Sequence, residues 1–293
     1  MRKKMLAALS VLLILIALVW PVPHSVYNRL TLALSDYMHF PLAWLLFWLV
    51  WRMGASRILS AIFVLTLSAG VESLQPLWGR SASAVDLIYA ALGVTAGLLL
   101  TRKPVKKTLL FLLCAATLLP VCSILWDQCA ARRAFPLLAS FESPFERGRW
   151  TLNGVSVKRV PLHSAHGRYS AEVRVSEAGF QYPGLFLESM PRDWRGAEAL
   201  LFDIFWPEIS AREICVRMDD QKGNPAYANR FQKSFVLQPG MNRIRLECEE
   251  FSRTSGGAMM DLSHVMRMGL FYLKAEKDDV FYLDNVRLLK GET

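Results

Sequence analysis

Five apolar segments in the first 126 residues constrain this chain more than any other feature of its sequence. Each is close to the ~20 residues that a helix needs to cross ~30 Å of hydrocarbon. No comparable apolar run follows Trp126. The pattern predicts an α-helical transmembrane bundle over 1–126, followed by a domain outside the membrane. The predicted spans are about 5–22, 38–52, 58–75, 84–101 and 108–126.

The net charge of +9 is concentrated in the short loops beside these segments. Residues 1–126 hold eleven Lys/Arg and three Asp/Glu, whereas residues 127–293 hold 23 and 22. The basic loops alternate in the positive-inside pattern, which puts the N-terminus in the cytoplasm and residues 127–293 outside it. A signal peptide is the alternative for the first segment, although Trp20-Pro21-Val22-Pro23 lacks a small-residue cleavage site. We expect a multi-pass protein of the cytoplasmic (inner) membrane that does not bind nucleic acid.

A few polar residues lie near the predicted outer ends of the spans. Ionisable side chains inside a membrane are costly, so they mark structural or functional positions. Residues three apart share a helix face, which groups the first four of these residues into two pairs. We call the whole set the polar cluster; its members are Asp36, His39, Glu72, Gln75, Arg80 and Asp86.

Three roles are open for the polar cluster. As a structural feature, Arg80 pairs with Glu72 or Asp86, and the other members bond across helices. As a catalytic or binding site, the cluster handles a lipid-linked or envelope substrate, with His39 and a carboxylate as acid–base groups. Ion or proton transport is the third role. No Ser-His-Asp order, Gly-rich phosphate loop or H-E-x-x-H motif indicates a named enzyme class.

The ordered motifs of residues 25–103 resemble the VanZ-like membrane proteins. They comprise Asp36-x-x-His39-Phe40, Glu72-x-x-Gln75, Arg80, Asp86 and Gly93. Separately, Gly93-x-x-x-Gly97 permits close helix approach. One position departs from the family, since Ala90 stands where an Asn often follows the Asp. Founding members are associated with glycopeptide-antibiotic resistance. The resemblance implies a helical architecture rather than a particular reaction.

Residues 137–293 have the pattern of an all-β domain, and 127–136 is the predicted linker. Short alternating strands recur, separated by turns such as Gln238-Pro239-Gly240. Many short strands in a segment of this length predict a jelly-roll sandwich. Predicted strands are Ala171–Val175, Leu200–Trp206, Glu213–Met218, Ser234–Leu237, Asn242–Cys248, Met268–Leu273 and Val280–Leu288.

The order of several short sequence motifs over about 137–290 resembles the galactose-binding-like β-sandwiches of carbohydrate-binding modules. The motifs include Phe141-Glu142 at the start and Phe281-Tyr282-Leu283-Asp284-Asn285-Val286 at the end. In such modules an early Glu and a terminal Asp often hold a structural calcium ion. The resemblance therefore implies Ca²⁺ at Glu142 and Asp284. The alternative is that both are strand-edge carboxylates paired with Arg147, Arg168 or Arg287.

A ligand face is predicted from aromatic and basic residues, because binding sites combine apolar surface with a few placed polar groups. The alternative to a ligand-binding role is that Trp206 and Phe231 are core residues. No pair of acids stands out as a glycosidase couple, so the pattern favours binding over hydrolysis. The ligand candidates are Tyr182, Trp206, Arg217, Tyr227, Arg230 and Phe231.

The sequence thus predicts a membrane-anchored cell-envelope protein whose outer β-sandwich binds a glycan or an envelope partner without catalysis. The rival is an intramembrane enzyme or transporter that acts at the polar cluster.

Cys215 is out of phase with its apolar neighbours, whereas Cys248 is in phase with Ile244 and Leu246, so the period of two puts the two cysteines on opposite faces.

Overall fold

The computed structural model describes residues 28–78, 82–101, 107–176, 179–220 and 227–291. They form two compact units, divided after Leu125. The predicted span at 5–22 lies outside the described residues. Three helices are long and apolar enough to cross a membrane, Arg29–Arg52, Arg57–Leu77 and Thr108–Ala134, and a shorter apolar helix covers Ala84–Leu100. Five spans were predicted; the described residues hold these three and the shorter helix.

The first unit contains α1 (Arg29–Arg52), α2 (Arg57–Leu74), a 3-10 turn (Gln75–Trp78) and α3 (Ala84–Leu100). Helix α1 begins earlier than the predicted residue 38. Asn28 caps it, because its side chain accepts hydrogen bonds from the backbone of Leu30 and Thr31. Asp36 and His39 therefore lie within α1 and not at its first turn.

The glycines of the Gly93-x-x-x-Gly97 motif bring α1 and α3 into close contact. A Cβ on Gly93 would lie 2.2 Å from the backbone oxygen of Phe40, and one on Gly97 would lie 2.3 Å from the Phe47 ring. Any side chain at either position would push the helices apart. The structure confirms the predicted role of this motif in close helix packing.

Helix α4 (Lys107–Ala134) runs through the residues predicted as a linker. In the described part of the chain after α4 there are eleven strands and one short α-helix, α5 (Cys248–Phe251). The strands are β1 (Leu137–Ala139), β2 (Trp150–Asn153), β3 (Val155–Val160), β4 (Ser170–Val175), β5 (Gly184–Leu187), β6 (Ala197–Trp206), β7 (Arg212–Asp220), β8 (Phe231–Leu237), β9 (Gly240–Glu247), β10 (Val265–Tyr272) and β11 (Val280–Lys290).

These strands form the predicted β-sandwich. One sheet has the order β3-β4-β11-β6-β9, with β1 also paired to β11, and the other has the order β2-β5-β10-β7-β8. Their inner faces enclose one core, whose largest fully buried members include Trp194, Trp206, Tyr272 and Phe281. Alternate residues of each strand therefore point into this core or away from it.

Candidate functional site

Four members of the polar cluster come together among α1, α2, the 3-10 turn and α3. We call them the buried quartet: His39, Glu72, Gln75 and Asp86, each between 2% and 8% exposed. His39 Nε2 lies 3.4 Å from Asp86 Oδ2. Gln75 Nε2 donates to Glu72 Oε1 over 2.6 Å. One ligand atom each of His39, Glu72 and Asp86 lies within 4.8 Å of the others.

Glu72 is held on both of its oxygens. While Oε1 accepts from Gln75, Oε2 accepts from the backbone nitrogen of Ser83 over 2.9 Å, just before α3 begins. No side-chain pattern in the sequence indicates this backbone donor. Asp36 lies one turn before His39 and is half-buried. Arg80 lies outside the described residues, so its predicted pairing with Glu72 stays a prediction.

The second candidate site is the outer face of the five-stranded sheet. Strand register lines up Thr151, Phe186, Gly269, Arg217 and Gln232 across its five strands. Leu185, Leu187 and other neighbours of these residues point inward, so this row faces away from the core. We call this surface the outer face.

Three aromatic rings form one half of the outer face. Tyr182, which is 47% exposed, meets Phe271 edge to face with ring centroids 5.8 Å apart. Phe271 stacks on Phe186 at 6.3 Å. The Phe186 ring lies over Gly269, where an added Cβ would be only 2.2 Å from Cδ1 of the ring. Gly269 therefore gives the ring room to lie flat across the strand.

A charged group forms the other half of the outer face. Arg217 donates from Nε and Nη2 to Asp219 Oδ1 over 3.1 and 3.0 Å, and Arg267 contacts Asp219 Oδ2. The Arg267 guanidinium also lies 5.5 Å from the Phe186 ring centroid and 3.9 Å from Glu188 Oε1. Burial lowers the pKa of Arg217, and the hydrogen bond to Asp219 opposes this shift.

The structure distributes the predicted ligand residues between this face and the core. Tyr182 and Arg217 lie on the outer face, and Arg230 directly precedes β8, whose Gln232 is opposite Arg217. Trp206 is fully buried and donates from Nε1 to the Ser210 carbonyl oxygen over 2.7 Å. Phe231 also belongs to the core. Both aromatics therefore follow the alternative prediction, that they are core residues. Tyr227 lies in a 3-10 turn, Tyr227–Asn229.

Among the aromatic and charged side chains of the outer face, four were not predicted from the sequence: Phe186, Asp219, Arg267 and Phe271. Their signal was the alternation with core residues within β5, β7 and β10. That alternation assigns a face to each residue but not its neighbours on other strands. Cys215 also lies on this side of β7 and is buried; burial raises its pKa to about 11. Cys215 and Cys248 are both free thiols.

The carboxylates predicted to bind calcium hold one loop to the sandwich. Glu142 Oε1 accepts from the backbone nitrogens of Arg168 and Tyr169 over 2.7 and 2.8 Å. Asp284 Oδ2 accepts from those of Ala165 and His166, each over 2.7 Å. Two N–H donors use both lone pairs of an oxygen, so neither atom keeps one for a cation. The calcium site stays a prediction. In the structure, the backbone amides of residues 165–169 bind the two carboxylates directly and so attach this loop to the sandwich.

Burial raises the pKa of Asp284, and the backbone hydrogen bonds from His166, Ala165 and Asn285 oppose that shift. The Asp284 carboxylate is thus poised between the desolvation that penalises its charge and the amides that favour it.

Comparison with known proteins finds likeness only among solved structures. No family model matches the chain, and no curated protein matches it. The VanZ-like resemblance therefore stays a prediction.

The solved structures are similar to about half of the chain. An exo-beta-agarase matches 54% of this chain and 25% of its own, with 16% identity and a TM-score of 0.43. The family 11 carbohydrate-binding module from Clostridium thermocellum, solved with a beta-1,3-1,4-mixed-linked tetrasaccharide, matches 53% of this chain and 95% of its own, with 20% identity and a TM-score of 0.42. The family 22 module of Clostridium thermocellum Xyn10B matches 54% and 96%, with 16% identity and a TM-score of 0.36.

Proposed function

We propose that the outer face binds a glycan and that the helical unit anchors the sandwich to the cytoplasmic membrane, with no catalytic role for the sandwich. The observation that carries this proposal is the juxtaposition on the outer face of an exposed ring, Tyr182, with the Phe186 and Phe271 rings packed beside it and an Arg–Asp–Arg group; Phe271 itself is only 6% exposed and supports the other two rings. Tyr182, Phe186 and Phe271 supply the apolar part. Arg217, Asp219 and Arg267 supply the polar part.

The aromatic half suits the apolar face of a pyranose ring. Tyrosine and phenylalanine offer large rigid surfaces, and Tyr182 keeps about half of its own area exposed. The contacts among the three rings fix their orientations before a ligand arrives. Preorganisation of this kind lowers the entropy cost of binding.

The charged half suits sugar hydroxyls. A guanidinium only donates hydrogen bonds and an ionised carboxylate only accepts them, whereas a hydroxyl does both. Arg217 occupies both lone pairs of Asp219 Oδ1, whereas Oδ2 accepts one bond from Arg267 and keeps a lone pair, so guanidinium donors and one acceptor atom lie side by side next to the Phe186 ring. Charge-assisted hydrogen bonds of this type are roughly twice as strong as neutral ones and give direction to the binding.

The test is a glycan array probed with residues 126–293, followed by calorimetry on each glycan that binds. Tyr182→Ala should raise the Kd roughly 2- to 12-fold, because the lost ring contact is worth about 0.5–1.5 kcal/mol. Asp219→Asn should also weaken binding, because it removes the charged acceptor at constant size. Ile209→Ala is the matched control, since Ile209 is 94% exposed and lies between β6 and β7. If Tyr182→Ala and Asp219→Asn bind the glycan with the same affinity as the control Ile209→Ala, the outer face is not the binding site.

The anchoring part of the proposal rests on the apolar helices and on the alternation of charge between loops. A reporter fused at residue 293 should give an external signal. A cytoplasmic signal would contradict the topology, and envelope glycans would then be out of reach of the sandwich.

A second candidate function is intramembrane catalysis or transport of a lipid-linked or envelope substrate at the polar cluster. The observation that favours it is the burial of His39, Glu72 and Asp86 against one another. Parallel Ala substitutions at His39 and at Tyr182 distinguish the two candidates. Loss of the cellular phenotype with His39→Ala alone, at normal protein levels, would favour the polar cluster.

A further inference from the structure

We propose that His39, Glu72 and Asp86 bind a divalent transition-metal ion of the zinc type. The ion would join three elements, because His39 comes from α1, Glu72 from the end of α2 and Asp86 from the start of α3. This site is separate from the outer face and does not depend on glycan binding. It also gives the polar cluster a defined ligand.

The distances fit ligands that share a cation. His39 Nε2 and Asp86 Oδ2 are 3.4 Å apart, which is longer than the 2.7–3.2 Å of an ordinary N–H···O hydrogen bond. Two ligand atoms at about 2.1 Å from a tetrahedral ion lie about 3.4 Å apart, since zinc bonds to nitrogen and oxygen have that length. The Glu72 ligand atom is within 4.8 Å of both, so a small inward movement completes the triad.

Gln75 provides an independent observation at the same place. Its side chain is 2% exposed and joins the triad through the hydrogen bond from Nε2 to Glu72 Oε1. Its Oε1 is buried and has no hydrogen-bond partner among the described residues. A buried carbonyl oxygen without a partner is costly, and an amide oxygen can serve as a metal ligand. Gln75 Oε1 is thus available as the fourth ligand.

The electrostatics of the site also favour a cation. Glu72 and Asp86 are both buried and near each other, so their ionised forms repel in a medium of low dielectric constant. Glu72 is held in its ligating orientation by Gln75 and by the Ser83 amide. Such outer contacts are typical of metal sites, where they orient the ligands.

The donor set selects the class of ion. An imidazole nitrogen suits zinc and its first-row neighbours, whereas magnesium and calcium prefer oxygen ligands alone. One nitrogen and two carboxylates supply three protein ligands, the number found in zinc sites that keep a fourth position for another group. In this chain the fourth position falls to Gln75 or to a water molecule.

The experiment uses the full chain purified in detergent. After treatment with a chelator and incubation with Zn²⁺, the washed protein should retain one equivalent of zinc by mass spectrometry of the metal. Asp86→Asn and His39→Ala should each lower the zinc affinity at least tenfold. The matched control is His264→Gln, because His264 Nδ1 lies 3.5 Å from Asp261 Oδ2 in an exposed His–Asp pair of the sandwich. It should leave zinc retention unchanged.

A second measurement does not depend on the folding of the variants. Cobalt(II) added to the wild-type apo protein should give visible d–d absorption of a tetrahedral site, and Zn²⁺ should displace it. Absence of both the absorption and zinc retention would overturn the proposal. Equal loss of zinc in His264→Gln, or full retention in a folded Asp86→Asn variant, would overturn it as well. Failure here leaves the glycan proposal untouched, because that one is measured on residues 126–293.

Discussion

The pairing of Asp127 with Arg149 should be the largest single polar contribution to the stability of the second unit. Arg149 is 5% exposed and Asp127 is 1% exposed. The guanidinium donates three hydrogen bonds of 2.7–3.1 Å to the Asp127 carboxylate, and its remaining bonds go to the carbonyl oxygens of Asp127 and Leu138. Asp127→Ala removes the carboxylate and leaves a buried cation without its counter-charge.

Removing one member of a buried ion pair costs about 3–5 kcal/mol, because the remaining charge stays desolvated. We expect Asp127→Ala to lower the free energy of unfolding of residues 126–293 by about that amount. With a urea m-value of about 2 kcal/mol/M, the unfolding midpoint falls by about 1.5–2.5 M. Urea unfolding followed by tryptophan fluorescence measures this shift, since Trp194 and Trp206 are in the core.

Two further variants make the test specific. Asp127→Leu combined with Arg149→Met removes both charges and should recover most of the loss, because apolar residues often replace a buried pair without cost. Asp193→Ala is the control, since Asp193 and Arg195 form an exposed pair on the same unit. Exposed pairs contribute little, so its midpoint should stay close to that of the wild type. Midpoints that fall equally in Asp127→Ala and Asp193→Ala would refute the reasoning.

Three other predictions concern the sandwich. Gly269→Ala should weaken glycan binding in calorimetry, because its Cβ would displace the Phe186 ring; unchanged affinity would contradict the aromatic platform. Side-chain and backbone hydrogen bonds from Arg195 hold the pKa of the Asp193 carboxyl at about 2. Arg195→Ala removes only the side-chain bonds, so an NMR titration should show the pKa rising part of the way towards the ordinary value of about 3.9. The stabilisation from this pair is present above about pH 4 and is lost as the pH falls towards 2. Cys215, with its pKa of about 11, should stay unmodified by a thiol reagent at pH 8, and labelling found by mass spectrometry would argue against its burial.

The elements of this protein follow from local sequence patterns. Apolar runs predicted the helices, and alternation predicted strands such as β4, β6 and β7 to within a few residues, because both patterns act through neighbours in the chain. The starts and ends were less well determined. Helix α1 begins at Arg29, directly after the cap residue Asn28 and nine residues before the apolar run from which its start was predicted. Helix α4 continues through the charged residues of the predicted linker.

The polar cluster was identified from sequence because ionisable residues are rare in apolar helices. Its geometry was not, since the pairing of His39 with Asp86 depends on how closely α1 approaches α3 at Gly93. Trp206 and Phe231 show the same limit in the sandwich. Their residue types suit a ligand face as well as a core, and only the packing of the two sheets decides for the core.

The sequence by itself determined which residues prefer apolar surroundings and which residues of a strand share a face. It did not determine which strands become neighbours, because β5, β10 and β7 pair across long stretches of chain. The row of Phe186, Gly269 and Arg217 exists only through that pairing. The tertiary structure decided it because strand order and register are set by burial of both sheets in one core, a property of the whole domain and not of any segment.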